Sequence, residues 1–396
     1  MIEKVFEQIL GLKEIQIDFV EIQEQSIHIY CSSVLEESLC PSCLKRRKEV
    51  NQTYQRKIRD LSITGKEVYL HLTERQFYCP DCKRYFAERF SFIESGKTMT
   101  KRYEQYIYGL CKTTTLQKVS AQENIVWNTL DEIFKRYAKK ELGNHLNTHK
   151  VHVLGMDEFA LKKGHKNFAT VIVDLERVEI IDVLEYREKD KLIEYFNSKG
   201  TAWCSHIEVF CSDMWDGFIN TAKVVFPNAT IVVDRFHFFS HLNKAVDNQR
   251  KQLRRVFKEH DEFKCLKWAL LKNKSALTSE EKKKLARAFA IAPELRQIYN
   301  HKEELRAIFE QNLTKEEAEI QINQWLKNAQ SLNNKYLNSF IKTFYNWKNY
   351  VLNYFTYRFT TSTIEGINNS IKTIKRMCFG FRNFENFRYR IMLNFI

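Results

Sequence analysis

Four prolines and eleven glycines in 396 residues leave little to break or loosen this chain. That scarcity excludes collagen-like, proline-rich and low-complexity classes and points to a compact, helix-tolerant globular protein. Long apolar runs are missing too: no uncharged stretch reaches the roughly 18 residues that a bilayer-spanning helix needs. The start, Met1-Ile2-Glu3-Lys4, shows no basic segment followed by an apolar one, so the expected location is the cytoplasm. Acidic residues are in deficit, 49 against 63 Lys and Arg, for a formal charge of +14. Such a surplus suits a polyanion held by counterion release and makes nucleic acid the leading partner. Many basic proteins bind no polyanion, so the balance alone decides nothing.

What is present divides into modules, as expected for a chain too long for one growing core. Ten cysteines occur, and in a reducing compartment their clustering matters more than their number. Cys31, Cys111, Cys204, Cys211, Cys265 and Cys378 are scattered and read as small buried hydrophobes. Cys40-Pro-Ser-Cys43 and Cys79-Pro-Asp-Cys82 are two matching knuckles separated by 35 residues. Two thiolates from each suit one tetrahedral, structural Zn²⁺ with no open position. A redox pair would need no second knuckle. Alternation at Val68, Leu70 and Leu72 predicts strands that bring the knuckles together as a ribbon.

From Lys97 to Leu142 apolar residues recur at helical spacing. Leu116 to Ala121, a turn at Asn124 and a run from Val126 to Tyr137 read as a helix-turn-helix. Asn124 would adopt the left-handed conformation, and Trp127, Asn128 and Thr129 would open the DNA-reading helix. An ordinary helical hairpin is the competing reading.

Past Lys150 the pattern changes. Val151 to Met156, Phe168 to Val173 and Val178 to Leu184 are β-rich. Helical Asp190 to Lys199, strand Ile207 to Cys211, helical Trp215 to Phe226 and strand Ala229 to Val233 follow. The order βββαβαβ is that of the ribonuclease H type α/β fold, which gathers acids at strand ends for metal-dependent phosphodiester chemistry. Asp157 is expected to end the first strand and Asp213 the fourth, on neighbouring strands, where paired carboxylates suit divalent cations. Singly, Asp213 reads as a helix cap and Asp157 as a turn residue.

A third acid, Glu365, stands in Thr361-Ser-Thr-Ile-Glu365-Gly-Ile-Asn-Asn-Ser-Ile-Lys-Thr-Ile-Lys-Arg376, whose apolar stripe is 364, 367, 371 and 374. Glu365, Asn369, Lys372 and Arg376 share another face, fit for metal and DNA phosphate. Ser362-x-x-Glu365 also matches a capping box, which explains Glu365 but not the row beyond it. Asp234 and His237 follow the last strand as supporting residues or as a structural hydrogen-bonded pair.

Residues 240–355 read as helices, with capping boxes at Thr278 to Glu281 and Thr314 to Glu317. Arg250, Lys251, Arg254 and Arg255 suggest DNA clamping or subunit contact. The closing stretch, Phe379 to Arg390, interleaves bases with aromatics and suggests contact with a DNA backbone.

Together these residues resemble the ISL3 family of insertion-sequence transposases along nearly the whole chain. The resemblance lies in both knuckles, Gly155-Met-Asp157-Glu-Phe-Ala, Ser212-Asp213-Met, Phe226 to His237 and Ile364 to Arg376. Thr361-Ser-Thr departs from the Ser-Asn often met before the acidic helix. The resemblance implies an Asp-Asp-Glu transposase, with Asp157, Asp213 and Glu365 holding Mg²⁺ (or Mn²⁺) to cut and join DNA. It also implies transposon-end and target DNA as partners, and a homodimer or larger synaptic assembly in a bacterial cytoplasm. The expected architecture is a zinc-ribbon domain (1–95), a helix-turn-helix (96–148), a ribonuclease H-like core (149–239 and 356–396) and an all-α insertion (240–355). Two other readings are a non-catalytic DNA-binding regulator, which needs no converging acids, and a structure-selective nuclease, which needs no end-binding module.

Overall fold

Alternation of apolar and polar residues builds the first sheet. Ile27, Ile29 and Cys31 on one strand and Val68, Leu70 and Leu72 on another turn to one face and are buried, while the residues between turn away. In the computed structural model, which describes residues 2–145, 150–162, 167–377, 381 and 383–395, this sheet belongs to the first of two compact units, Met1–Glu141 and Leu142–Ile396.

The first unit opens with helix α1 (Ile2–Leu10). Strands β1 (Ile15–Ile22), β2 (Ser26–Ser33), β3 (Ser38–Leu39), β4 (Arg46–Arg47), β5 (Val50–Ile63), β6 (Lys66–Cys79) and β7 (Arg84–Ala87) follow. The sheet runs β1-β2-β6-β5, and β7 pairs with the end of β6. Only β2 and β6 are parallel. The long β5–β6 hairpin turns through Thr64 and Gly65, both at positive φ (52° and 81°), the mirror-image turn that matches strand twist. Helices α2 (Lys101–Thr113), α3 (Leu116–Glu123) and α4 (Trp127–His145) complete the unit. Asn124 caps α3 in the left-handed region at φ 52°, ψ 44°, as the sequence predicts for the turn between two helices. Trp127 and Asn128 are exposed at the start of α4 and Thr129 is half-buried.

The second unit holds β8 (Val153–Ala160), β9 (Phe168–Asp174), β10 (Glu179–Leu184), α5 (Lys189–Lys199), α6 (Thr201–Ser205), β11 (Val209–Ser212), α7 (Asp216–Val225) and β12 (Thr230–Val233). Its sheet order is β10-β9-β8-β11-β12. The first three strands are antiparallel, and β8, β11 and β12 are parallel. The predicted order of strands and long helices is present, with the five-residue α6 added.

Helices α8 (Arg235–Val256), α9 (Lys267–Leu271), α10 (Ser279–Ile291), α11 (Pro293–Glu310), α12 (Lys315–Ser331), α13 (Lys335–Leu352) and α14 (Tyr354–Tyr357) form the helical region, before α15 (Ser362–Met377) and α16 (Phe384–Leu393). Both predicted capping boxes form, at Thr278 with Glu281 and Thr314 with Glu317. The helical run begins at Arg235, directly after β12, because Asp234 caps it.

Two expectations for basic residues fail here. Arg250 is not a free cation: it is buried and paired with Asp247, whose second oxygen takes Lys251 at 2.8 Å. Part of the C-terminal basic-aromatic stretch, Phe379, Gly380 and Arg382, lies outside the described residues. Beyond it, Phe387, Tyr389 and Arg390 are buried and Arg388 binds Asp182 at 2.5 Å, so α16 packs on the protein rather than presenting bases to DNA.

Candidate active site and metal centre

The knuckles sit where strands end. Cys40 follows β3, Cys79 closes β6, and each knuckle is followed by a residue at positive φ, Leu44 (56°) and Lys83 (50°). The Sγ atoms of Cys40 and Cys82 are 3.9 Å apart and those of Cys43 and Cys79 3.6 Å. All four lie within 4.8 Å of one another, a closed thiolate set suited to structural zinc. Burial opposes ionisation of Cys79, but the Cys82 backbone and the Arg47 guanidinium hold its thiol down to about 6, favouring a ligating thiolate. Phe77 and Phe86 stack beside the cluster at 5.6 Å and form a small core with Cys40 and Cys79.

In the second unit the acids gather where β8 meets β11. Ser212 pairs with Met156 in parallel register, so the next residues, Asp213 and Asp157, emerge side by side. Asp213 directly follows its strand, as predicted. Asp157 does not end its strand: β8 continues to Ala160, held by Phe159–Ala169 and Ala160–Phe168 pairing with β9.

Gly155, Asp157 and Phe159 share the face on which α15 lies. The helix approaches closely: a Cβ at Gly155 would meet Ile364 Cδ1 at 2.7 Å and Leu175 at 2.8 Å. One turn on, the buried Asn368 donates its side-chain N–H to Asp157 Oδ2 at 2.9 Å, and Lys375 reaches the Ala160 carbonyl at 3.2 Å. Asp157 Oδ1 accepts the Glu158 backbone N–H at 2.7 Å.

Burial pushes the Asp157 carboxyl up to about 6 against the backbone hydrogen bond and His237. Burial, then the charges of Asp157, Glu158 and Asp234, push Asp213 up to about 7. Three buried polar atoms at this junction lack partners among the described residues: Asp213 Oδ1, His237 Nδ1 and Asn368 Oδ1. Buried polar groups are ordinarily satisfied, so the donor set fits a hard cation and its water ligands.

Glu365 lies exposed in the first turn of α15, beside the buried stripe of Ile364 and Asn368. Its backbone N–H donates to the Thr361 carbonyl at 3.0 Å, while its carboxylate makes no hydrogen bond or ion pair among the described residues. The helix begins at Ser362, making Ser362 its first residue and not its cap, so the alternative capping box is not formed. Asn369, Lys372 and Arg376 continue the exposed row, with Lys372 donating to Asn369 at 3.2 Å. Among the described residues the only His/Cys/Asp/Glu set drawn within metal-ligand spacing is the four cysteines. The strand register thus sets Asp157 and Asp213 on neighbouring strands, but the carboxylates of Asp157, Asp213 and Glu365 are not drawn together within that spacing.

Asp234 is the hinge pin of this region. It is buried, and its Oδ2 accepts the His237 N–H at 3.1 Å to cap α8. Its Oδ1 accepts the Thr361 N–H at 3.0 Å, fixing the start of α15, while its own N–H binds the Ser212 carbonyl at 2.8 Å. Sequence reasoning passed over two site groups. Asn368 falls in the apolar phase of α15, a buried amide among isoleucines, which is the signal that finds it. Glu158 is paired at 2.5 Å with Arg187, whose guanidinium stacks over Phe168 and Trp215; nothing in the sequence distinguishes it from a surface acid.

Among known proteins, the chain matches three family models in succession. The zinc-finger of transposases IS204/IS1001/IS1096/IS1165 covers residues 36–82, the helix-turn-helix domain of transposase family ISL3 residues 88–138, and the ISL3 transposase model residues 154–391. The chain is 26% identical over 402 residues to the transposase for insertion sequence element IS1001 of Bordetella parapertussis, covering 99% of this chain and 98% of that one. It is 22% identical over 287 residues to the transposase for insertion sequence element IS1557 of Mycobacterium tuberculosis, covering 65% and 63%. With the transposase model spanning more than half its length and two amino-terminal models before it, the chain belongs to the ISL3 family of transposases.

Proposed function

We propose that this transposase binds the terminal inverted repeats of an insertion sequence, cuts a DNA strand at each end and joins the freed end to target DNA, using Asp157, Asp213 and Glu365. The observation that carries the reading is the parallel β8–β11 pair. It sets the buried Asp157 and the half-buried Asp213 side by side, with the exposed Glu365 on a helix fastened to the same strand through Asn368. The sheet order, three antiparallel strands followed by two parallel ones, supports a ribonuclease H-like core. On this reading the domains run 1–95, 96–148, 149–239 with 356–396, and 240–355.

Asp157, Asp213 and Glu365 would hold Mg²⁺ or Mn²⁺, which when bound polarises the attacking and leaving oxygens of a phosphodiester. Burial makes an uncompensated charge on either aspartate costly, the electrostatic condition that favours a divalent partner. Asn368 fixes which oxygen of Asp157 faces the site. Asp234 fixes the distance between β12 and the start of α15. In the first step the oxygen of water bonds to phosphorus at the transposon end as the bond to the 3′ oxygen breaks, leaving a 3′ hydroxyl and a 5′ phosphate. In the second that hydroxyl attacks a target phosphodiester, forming one P–O bond as another breaks, with no covalent enzyme intermediate.

Trp127, Asn128 and Thr129 at the start of α4 would read bases in the major groove. Asn369, Lys372 and Arg376 would hold phosphate beside the acids. Joining two ends calls for a homodimer or larger assembly, and a bacterial DNA substrate places the protein in the cytoplasm. Among the described residues no helix is long and apolar enough to cross a membrane.

The test is a cleavage and strand-transfer assay with Mg²⁺ on DNA carrying the element's ends, comparing the native chain with Asp157→Asn, Asp213→Asn and Glu365→Gln. Each variant should bind ends normally and lose joining. Joining that survives any one of them makes that residue structural.

A further inference from the structure

Beside Asp234 lies a cavity of about 420 Å³ walled by α8, the end of α9, α11 and the start of α15. That volume is within the roughly 300–1,000 Å³ usual for sites that take a small organic group. Phe236 and Phe239 of α8 and Leu271 supply apolar walls, and Phe236 is 65% exposed, unusual for a ring on the first turn of a helix. Two polar atoms of the lining are buried without partners among the described residues, Arg306 Nη1, a donor, and Asn243 Oδ1, an acceptor. Arg306 lies against the Phe239 ring at 5.7 Å, which holds its guanidinium in place. Asp234 and Ser362 also line the cavity, putting it next to the carboxylate that anchors α15 and three residues from Glu365.

We propose that this cavity receives a single nucleobase, turned out of the duplex beside the phosphodiester being cut. The proposal rests on the DNA-cutting reading and adds a ligand subsite to it. A face for stacking, one donor and one acceptor are what a base edge asks for. A phosphate fits worse, because the two guanidinium groups of the lining, Arg235 and Arg306, are matched by the Asp234 and Glu310 carboxylates and leave no cationic surplus for it. Phe236 offers its ring to the extracted base, and Arg306 and Asn243 satisfy the base edge that loses its pairing partner. Extraction would bend the backbone at the scissile step and expose the phosphorus to attack.

The experiment places 2-aminopurine, one position at a time, across the nucleotides flanking the cleavage point of the element's own terminal-repeat duplex. The full chain is bound in Ca²⁺, and binding is followed by fluorescence anisotropy of a distal dye. One position should brighten on binding as the base leaves the stack. Phe236→Ala should lower the ratio of unstacked to stacked base roughly tenfold, the order expected for one lost base–aromatic stack, and slow cleavage with it. Asn243→Leu should act in the same direction, and an abasic nucleotide at that position should restore cleavage to Phe236→Ala. Fluorescence that stays silent at every position in a chain that binds and joins ends overturns this subsite alone. So does brightening that ignores both substitutions. A chain that binds no end DNA overturns the transposase reading, and this proposal with it.

Discussion

Asp213 carries a measurable electrostatic cost. An acid raised to about 7 in the folded chain keeps its proton where the unfolded chain, near 3.9, has lost it. Between those values the native state binds more protons than the unfolded one, so stability falls as pH rises through that window and is fullest below about pH 4. In magnesium-free buffer, Asp213→Asn should therefore be more stable than the native chain at pH 8, by roughly 1–3 kcal/mol, and no more stable at pH 4. Urea midpoints at the two pH values measure this; equal midpoints at pH 8 would show that Asp213 is not buried at the junction. Asn368 makes the complementary case. Asn368→Leu removes a hydrogen bond to a buried carboxylate and should cost about 1.5–3 kcal/mol. It should slow joining more than tenfold while leaving end affinity unchanged. At this scale the sequence singled out Asp157, Asp213 and Glu365 as candidates through their place after β-rich runs and on an amphipathic helix. The apolar phase of α15 marks Asn368, but that its partner is Asp157 was not legible, because it depends on the placement of α15 against β8, where Ile364 meets Gly155.

Elements were legible in proportion to their periodicity and punctuation. The capping boxes of α10 and α12, the left-handed Asn124 and the alternating strands all follow from local rules. Strand length was not: β8 runs past Asp157 because β9 pairs with it to Ala160, a non-local cause. Two outcomes belong here. Asn124→Val should destabilise the first unit by about 1–2 kcal/mol, the cost of the left-handed conformation for a branched residue, while Asn124→Gly should be nearly neutral. Thermal melts of both variants decide it, and a neutral Val would mean that the α3–α4 turn is not held as described. Gly155→Ala drives a methyl group into Ile364 and Leu175 and should cost about 1–3 kcal/mol through overpacking. Because it pushes α15 off β8, it should reduce strand joining while end binding persists, and joining at native rate would show that the helix position does not matter.

The molecule as a whole carries +14, but its charge is not evenly available. Arg250 and Arg388 are tied to acids inside the fold, so the bases left for DNA are fewer than composition suggests, which composition alone has no means of showing. Zinc removal tests the division into two units. A chelator, or Cys43→Ser, should unfold the knuckles and their Phe77–Phe86 core and weaken end binding at least tenfold. The α/β signal of the second unit, followed by tryptophan fluorescence and circular dichroism, should persist; its loss would mean that the units do not fold independently.

The carboxylate of Asp234 holds the first turn of α8 and the residue before α15 at once. Everything between, residues 235–360, thus leaves and returns to one point, like a cartridge with both terminals on a single socket. A segment whose ends already meet adds little closure entropy as it lengthens. Lineages can therefore expand, trim or exchange this helical block while the spacing of Asp213 and Glu365 stays where Asp234 sets it.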